Sequence, residues 1–350
     1  MKSELHRPVC DLLGCHYPIV AAGMGGVARS ELVAAVSAAG AFGFLGMVRE
    51  PVSRIRSEVQ ALRRQGVLRF GINLVPAATE RGLLEEQISC CIDLKVPVVG
   101  LFWDVPSSLI RQLRDAKITV VCQVGTLAEA QTVEQAGAQI LIAQGIEAGG
   151  HVRGDRPLEE FVPEIAGQTK LPVLAAGGLV DGLDLVTVLA LGAQGAVFGT
   201  AMVATEEAFA HDYHKQRLLK ASTEETVLTE AFHINWPRRA KVRVLANSVT
   251  RGERGDPFGR QRVLIGDEEG RPIYLFSTDS PLRSMTGDFE SMALYAGSGV
   301  GRIDAVEPAA SRIRAIVAQA ASLIGTGGRD LTSLIVPCTG AGHSNLLQES

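Results

Sequence analysis

The feature that most constrains this chain is a rhythm. Between residues 17 and 200, short runs rich in Val, Ile and Leu recur at intervals of roughly 25 residues, separated by segments with helical apolar spacing. Such alternation points to repeated βα units, because two parallel strands need a crossover connection and a helix usually supplies it. The predicted strands are Tyr17 to Ala22, Ala41 to Gly46, Phe70 to Leu74, Val96 to Leu101, Ile118 to Gln123, Ile140 to Gln144, Pro172 to Ala176 and Ala196 to Gly199. Eight is the number that closes a barrel of parallel strands ringed by helices. Helix signals fit between them: Ser30 precedes the spacing Leu32, Val33, Val36 and Gly40 ends it, while Asp181 and Gly192 bracket another helix. Segments 127–137 and 182–192 each run into Gly-Ala just before a strand, a weak internal repeat of the βα unit.

The fold class expected is therefore α/β, a (β/α)8 TIM barrel built from residues 1–204 and 301–325. After Thr200 the rhythm breaks. Residues 205–300 are more polar, with scattered Met, Trp and Phe and a charged Gly-rich run, RGERGDPFGRQ, at 251–261. They are expected to form a helical insertion after strand eight, covering the barrel mouth like a lid. Ala309 to Ile324 is predicted to be the eighth barrel helix, and 326–350 a flexible tail.

Charge and composition exclude several function classes. Lys plus Arg number 34 against 38 Asp plus Glu, with no long basic run, so a nucleic-acid partner is not expected. No stretch reaches the roughly 18 apolar residues needed to cross a bilayer. The start, MKSELHRP, alternates charges instead of leading into an apolar run, so a cytoplasmic location is expected. Cys10, Cys15, Cys90, Cys91, Cys122 and Cys338 lack the paired spacing of zinc sites and read as reduced structural thiols; no metal is expected. There is no Walker phosphate loop, HExxH pair or GxSxG elbow.

The motifs that remain sit at the predicted carboxyl ends of strands, where barrel enzymes keep their chemistry. Gly23-Met24-Gly25-Gly26-Val27-Ala28 matches the GxGxxA spacing of a dinucleotide fold, but the acid that should end the second strand is missing, the first being Glu50. In a barrel the same glycines let backbone approach a flat ring. After strand six comes Gln144-Gly145-Ile146-Glu147-Ala148-Gly149-Gly150-His151, whose glycines allow close packing on a ligand and whose imidazole suits proton transfer near neutral pH. Gly177-Gly178 after strand seven and Val197-Phe198-Gly199-Thr200 after strand eight offer backbone amides and a hydroxyl for a phosphate. Asn73 and Gln123 end strands three and five, placed either to hydrogen-bond a ligand or to cap their own strands. The histidines at 6, 16, 211, 214, 233 and 343 have no comparable setting.

Together, PIVAAGMGG near the start, GINL at 71–74, QGIEAGGH at 144–151, VLAAGGL at 173–179 and GAVFGT at 195–200 resemble the nitronate monooxygenase family, formerly 2-nitropropane dioxygenases. The likeness spans about residues 5 to 320, and QGxEAGGH is its most specific part. It implies FMN held by Met24, Gly25, Asn73, Gln144, Gly149, Gly178 and the run Val197, Phe198, Gly199, Thr200, with His151 catalytic; Gln123, Gly150 and Gly177 join the expected cofactor contacts by their place at the strand ends. It implies oxidation of alkyl nitronates, or nitroalkanes after proton removal, with O2 reoxidising the flavin and a carbonyl compound and nitrite as products. Related sequences often carry Gln where Ser298 stands here. The alternative is an NAD(P)H-dependent FMN reductase, since the similar flavin enoyl-acyl-carrier-protein reductases and quinone reductases share the barrel and a Gly-Gly-His loop. An acyl-carrier-protein partner needs a basic landing patch, for which Arg238, Arg239, Lys241 and Arg243 are candidates, unless they form only a solvated face. The partners expected are a small-molecule substrate and O2; the Ala-rich last helix fits either a homodimer contact or simple cover for the barrel.

Overall fold

A computed structural model describes residues 4–325 of the chain; the tail 326–350, with Cys338 and His343, lies outside the described residues. Eight parallel strands close a barrel. They are β1 (Ile19–Ala21), β2 (Phe42–Gly46), β3 (Gly71–Leu74), β4 (Val98–Phe102), β5 (Thr119–Val124), β6 (Ile140–Gln144), β8 (Val173–Ala176) and β9 (Gly195–Phe198). Closure comes from β1 pairing with β9 in the register Val20↔Val197. All eight predicted strands are present, each within a few residues of its predicted ends.

Helices α2 (Ser30–Ala38), α3 (Val52–Arg64), α4 (Arg81–Asp93), α5 (Ser107–Asp115), α6 (Leu127–Ala136), α7 (Leu158–Gln168) and α8 (Gly182–Ala190) fill the crossovers, and α1 (Pro8–Leu13) precedes β1. The start signal at Asp181 is realised as a capping box, its carboxylate accepting from the Leu183 and Asp184 amides. Side-chain alternation then sorts the strands into two cores. Val20, Phe42, Phe44, Val98, Val121, Ile142, Leu174 and Val197 fill the barrel interior, which Val9, Cys10 and Leu13 of α1 plug from the amino-terminal end. The alternate residues pack against the helices, Phe198 among them, and are almost fully buried. A side chain of that size, removed from water, contributes about 1.5–3 kcal/mol.

β9 ends in a single helical turn, α9 (Thr200–Val203), and the chain leaves the barrel until α11 (Ala309–Gly325) packs beside α8 and α2 as the eighth helix. The intervening segment corrects the expectation of a helical insertion. It holds one regular helix, α10 (Asp212–Lys220), and five strands: β10 (Thr226–Thr229), β11 (Lys241–Leu245), β12 (Leu264–Glu268), β13 (Arg271–Tyr274) and β14 (Met285–Gly287). The reason is local. Lys-Val-Arg-Val alternates with Val242 and Val244 buried and Lys241 exposed, a strand period. Glu269 and Gly270 both adopt positive φ, 51° and 89°, the combination a tight hairpin between β12 and β13 requires. β11 also pairs with β7 (Gly150–Val152), a short strand inside the Gly-Gly-His loop, in the register Val242↔His151. The insert thereby grips the site loop through backbone hydrogen bonds.

Candidate active site

A cavity of about 690 Å³ opens at the carboxyl ends of the barrel strands, roofed by Asn235, Trp236, Thr278 and Tyr295 from the insert. Of the residues singled out in the sequence, Met24, Gly25, Asn73, Gln123, Gln144, Gly149, Gly150, His151, Gly177, Gly178, Val197, Gly199 and Thr200 all line it. Phe198 does not. Its side chain lies in the strand–helix core, so only its main chain is near the site.

The glycines permit approaches that a side chain would block. A Cβ on Gly23 would sit 2.2 Å from Asn73 Cβ, and Asn73 Nδ2 donates to the Gly23 carbonyl at 3.1 Å, joining the β1 and β3 ends. A Cβ on Gly149 would sit 2.5 Å from the Gly297 nitrogen. Gly178, at φ +67°, faces Ser298, and Arg302 clamps the same loop by donating to the Gly178 carbonyl and pairing with Asp181 and Asp184. Gly297 N donates to Thr200 Oγ1 at 2.9 Å, so the segment 297–302 closes over strands seven and eight of the barrel. Glu147 of the QGIEAGGH motif caps α7, its carboxylate accepting from Leu158 N.

His151 lines the cavity from the loop that the insert grips. Gln144 fixes its main chain from both ends of one amide: Nε2 donates to the His151 carbonyl at 2.8 Å, and Oε1 accepts from Arg153 N at 3.1 Å. The imidazole lies flat on the Trp236 indole, centroids 3.5 Å apart and planes 12° apart, with Trp103 and Tyr295 each 6.1 Å away. Burial first, and the positive charge of Arg49 second, hold its pKa well below the usual histidine value, so the ring is neutral. Arg49 in turn lies 3.6 Å from Asp279, which also binds Arg271. Among the described residues seven buried side-chain polar atoms have no hydrogen-bond partner, and four belong to cavity-lining residues: His151 Nε2, His214 Nδ1, Trp236 Nε1 and Thr278 Oγ1. Orphaned polar atoms of this kind are costly unless a ligand completes them.

Several of these residues escaped the sequence reading. Trp103 follows β4 and shares with Asp104 a left-handed backbone, φ 69° and 51°, a strain of roughly 1–3 kcal/mol per residue that clusters at functional sites. An aromatic residue just past the end of a barrel strand was the available signal. His214, passed over as ordinary, is buried against the cavity with Nε2 on the Tyr295 carbonyl and its pKa pushed down to about 4 by burial. Of the basic candidates, Arg243 is withdrawn from the surface and donates to the Ile146 carbonyl, and Arg239 pairs with Glu230. Cys10, Cys15, Cys90, Cys91 and Cys122 are free, and burial pushes the Cys122 thiol up to about 12, away from nucleophilic chemistry. No cluster of three metal-ligating side chains and no helix able to cross a membrane occurs among the described residues.

Comparison with known proteins agrees with this arrangement. A probable nitronate monooxygenase of Staphylococcus haemolyticus is 33% identical over 264 residues, 63% of this chain and 74% of that protein. Among solved structures, FabK from Thermotoga maritima superposes with a TM-score of 0.77 at 28% identity, covering 92% of this chain and 98% of its own. The nitroalkane oxidase from Streptomyces ansochromogenes does so at 0.74 and 30% identity, covering 91% and 99%. The model of the nitronate monooxygenase family matches residues 6–84 and 75–319, which hold every strand of the barrel, His151 and the insert. This chain belongs to that family of oxidoreductases.

Proposed function

We propose that this enzyme binds FMN and oxidises alkyl nitronates, and nitroalkanes after deprotonation, with O2 as electron acceptor, releasing a carbonyl compound and nitrite. The observation that carries this reading is a neutral, buried imidazole whose Nε2 has no protein partner, in a cavity over the barrel mouth. The residues present fit a flavin nucleotide. A cavity of 690 Å³ lies within the roughly 300–1,000 Å³ typical of small-ligand sites. At Gly199 an added Cβ would meet nothing nearer than 4.0 Å, so its Cα faces open space beside Thr200, where a phosphate would find a hydroxyl and main-chain amides. Met24, Gly25, Asn73, Gln123, Gly149, Gly150, Gly177, Gly178 and the main chain of 197–200 would hold the nucleotide, with Gln144 acting mainly by bracing His151. When bound, FMN supplies a two-electron acceptor that O2 can reoxidise.

The protein's own part is to bind, orient and move a proton. Val75, Phe102, Trp103 and Ala240 form an apolar cluster with Val48 and Trp236 beside His151, a wall suited to an alkyl chain. With a neutral nitroalkane, His151 Nε2 takes the α-proton; with a preformed nitronate that step is unnecessary and the cavity need only position an anion. The likeness to FabK favours one second reading, in which NAD(P)H reduces the flavin for an enoyl thioester or quinone. Aerobic turnover decides directly. O2 uptake on ethyl nitronate should be accompanied by nitrite release, whereas NADH-dependent O2 uptake without nitrite would replace the first reading with the second.

A further inference from the structure

The stacked pair His151 and Trp236 presents two edges, not one. Both His151 Nε2 and Trp236 Nε1–H are buried without a protein partner, on nearly parallel, stacked rings whose centroids are 3.5 Å apart, and both residues line the cavity. One edge is a neutral base; the other can only donate. Beside them, Tyr295 is engaged, its hydroxyl donating to the Thr278 carbonyl at 2.5 Å. Burial makes a donor in this position strong, because little water competes for the charge it faces.

We propose that Trp236 is a catalytic residue of the deprotonation step, its Nε1–H donating to the substrate oxygen on which negative charge collects as the α-proton moves to His151. This deepens the proposed function and rests on it. In the step, the α-carbon–hydrogen bond breaks and a hydrogen–Nε2 bond forms on His151. The carbon–hydrogen electron pair becomes the carbon–nitrogen π bond, and the displaced nitro π pair settles on oxygen facing the indole N–H. The resulting imidazolium lies under the face of the same indole, which stabilises a cation. Trp236 thus serves both charges the step creates, and the pair selects substrates whose acidic carbon is bonded directly to an oxygen-bearing acceptor.

The test follows exchange of the α-hydrogens of nitroethane in D2O by NMR, anaerobically, with the holoenzyme. This readout does not require flavin turnover. Trp236→Phe keeps an aromatic stack and removes the N–H; 3-benzothienylalanine at position 236 keeps the ring size as well. Loss of one such donor is expected to slow exchange by about 10²–10³-fold. Should Trp236→Phe fail to fold, as judged by circular dichroism and retained flavin, the benzothienyl protein decides. Wild-type exchange with undiminished exchange in the variants overturns the inference alone and leaves nitronate oxidation standing. Absence of exchange and of nitrite in the wild type overturns both.

Discussion

Replacing His151 by Ala is expected to lower kcat/KM for neutral nitroethane by about 10²–10⁴-fold, the usual contribution of a positioned general base. Oxidation of preformed ethyl nitronate should change by less than about tenfold, since no proton has to leave carbon there. The split between substrates separates a base from a mere packing residue. Truncating the ring also removes the surface on which Trp236 lies, so an equal loss on both substrates would assign His151 to structure. The pH profile carries an independent sign. Because burial and Arg49 depress the folded pKa, the base stays neutral as pH falls through the ordinary histidine range. Wild-type kcat/KM for nitroethane should therefore hold level through pH 6.5 and decline only at lower pH. A decline centred at or above 6.5 would contradict the desolvated environment.

Gly149→Ala is expected to cost the protein its flavin. The added Cβ would lie 2.5 Å from Gly297 N and 2.6 Å from the Ala296 carbonyl carbon, and both obstacles are backbone that cannot rotate aside. Moving them breaks the bond from Gly297 N to Thr200 Oγ1 and displaces Ser298, whose amide donates to the Glu147 carbonyl. Overpacking of this kind typically costs about 1–3 kcal/mol, or several degrees in Tm for a chain of this size. The phosphate end of the cavity should open with it. Purified Gly149→Ala should show a much reduced absorbance near the flavin band, whereas Gly167→Ala, where an added Cβ meets nothing within 4 Å, should retain flavin and Tm. Full flavin occupancy in Gly149→Ala would show that the 296–299 segment is not part of the cradle.

The barrel was legible because its signal is periodic and redundant: eight apolar runs, each bounded by turn residues, and helices with caps such as Asp181. One misjudged run would not have hidden the others. The Gly-rich loops at the strand ends were legible because only glycine tolerates the close approach of the Asn73 side chain to Gly23 and of the 296–297 backbone to Gly149. The insert was not. Its strands are short, one of its two sheets is completed by β7 from the distant site loop, and such non-local pairing leaves little trace in a local window. The same distance hid Trp236, which sits 85 positions from His151 in sequence yet stacks upon it. Gln144 lines the cavity as a strand-end polar group, but its bracing of His151 needed both hydrogen bonds to be seen.

The central claim, that this cavity oxidises nitronates through a bound flavin, is tested most directly by an anaerobic visible titration. The purified holoenzyme is mixed in parallel with ethyl nitronate, NADH and NADPH, and the flavin band is followed. The account predicts rapid bleaching by the nitronate and slow or negligible bleaching by either nicotinamide. Rapid bleaching by NADH or NADPH with none by nitronate would contradict it.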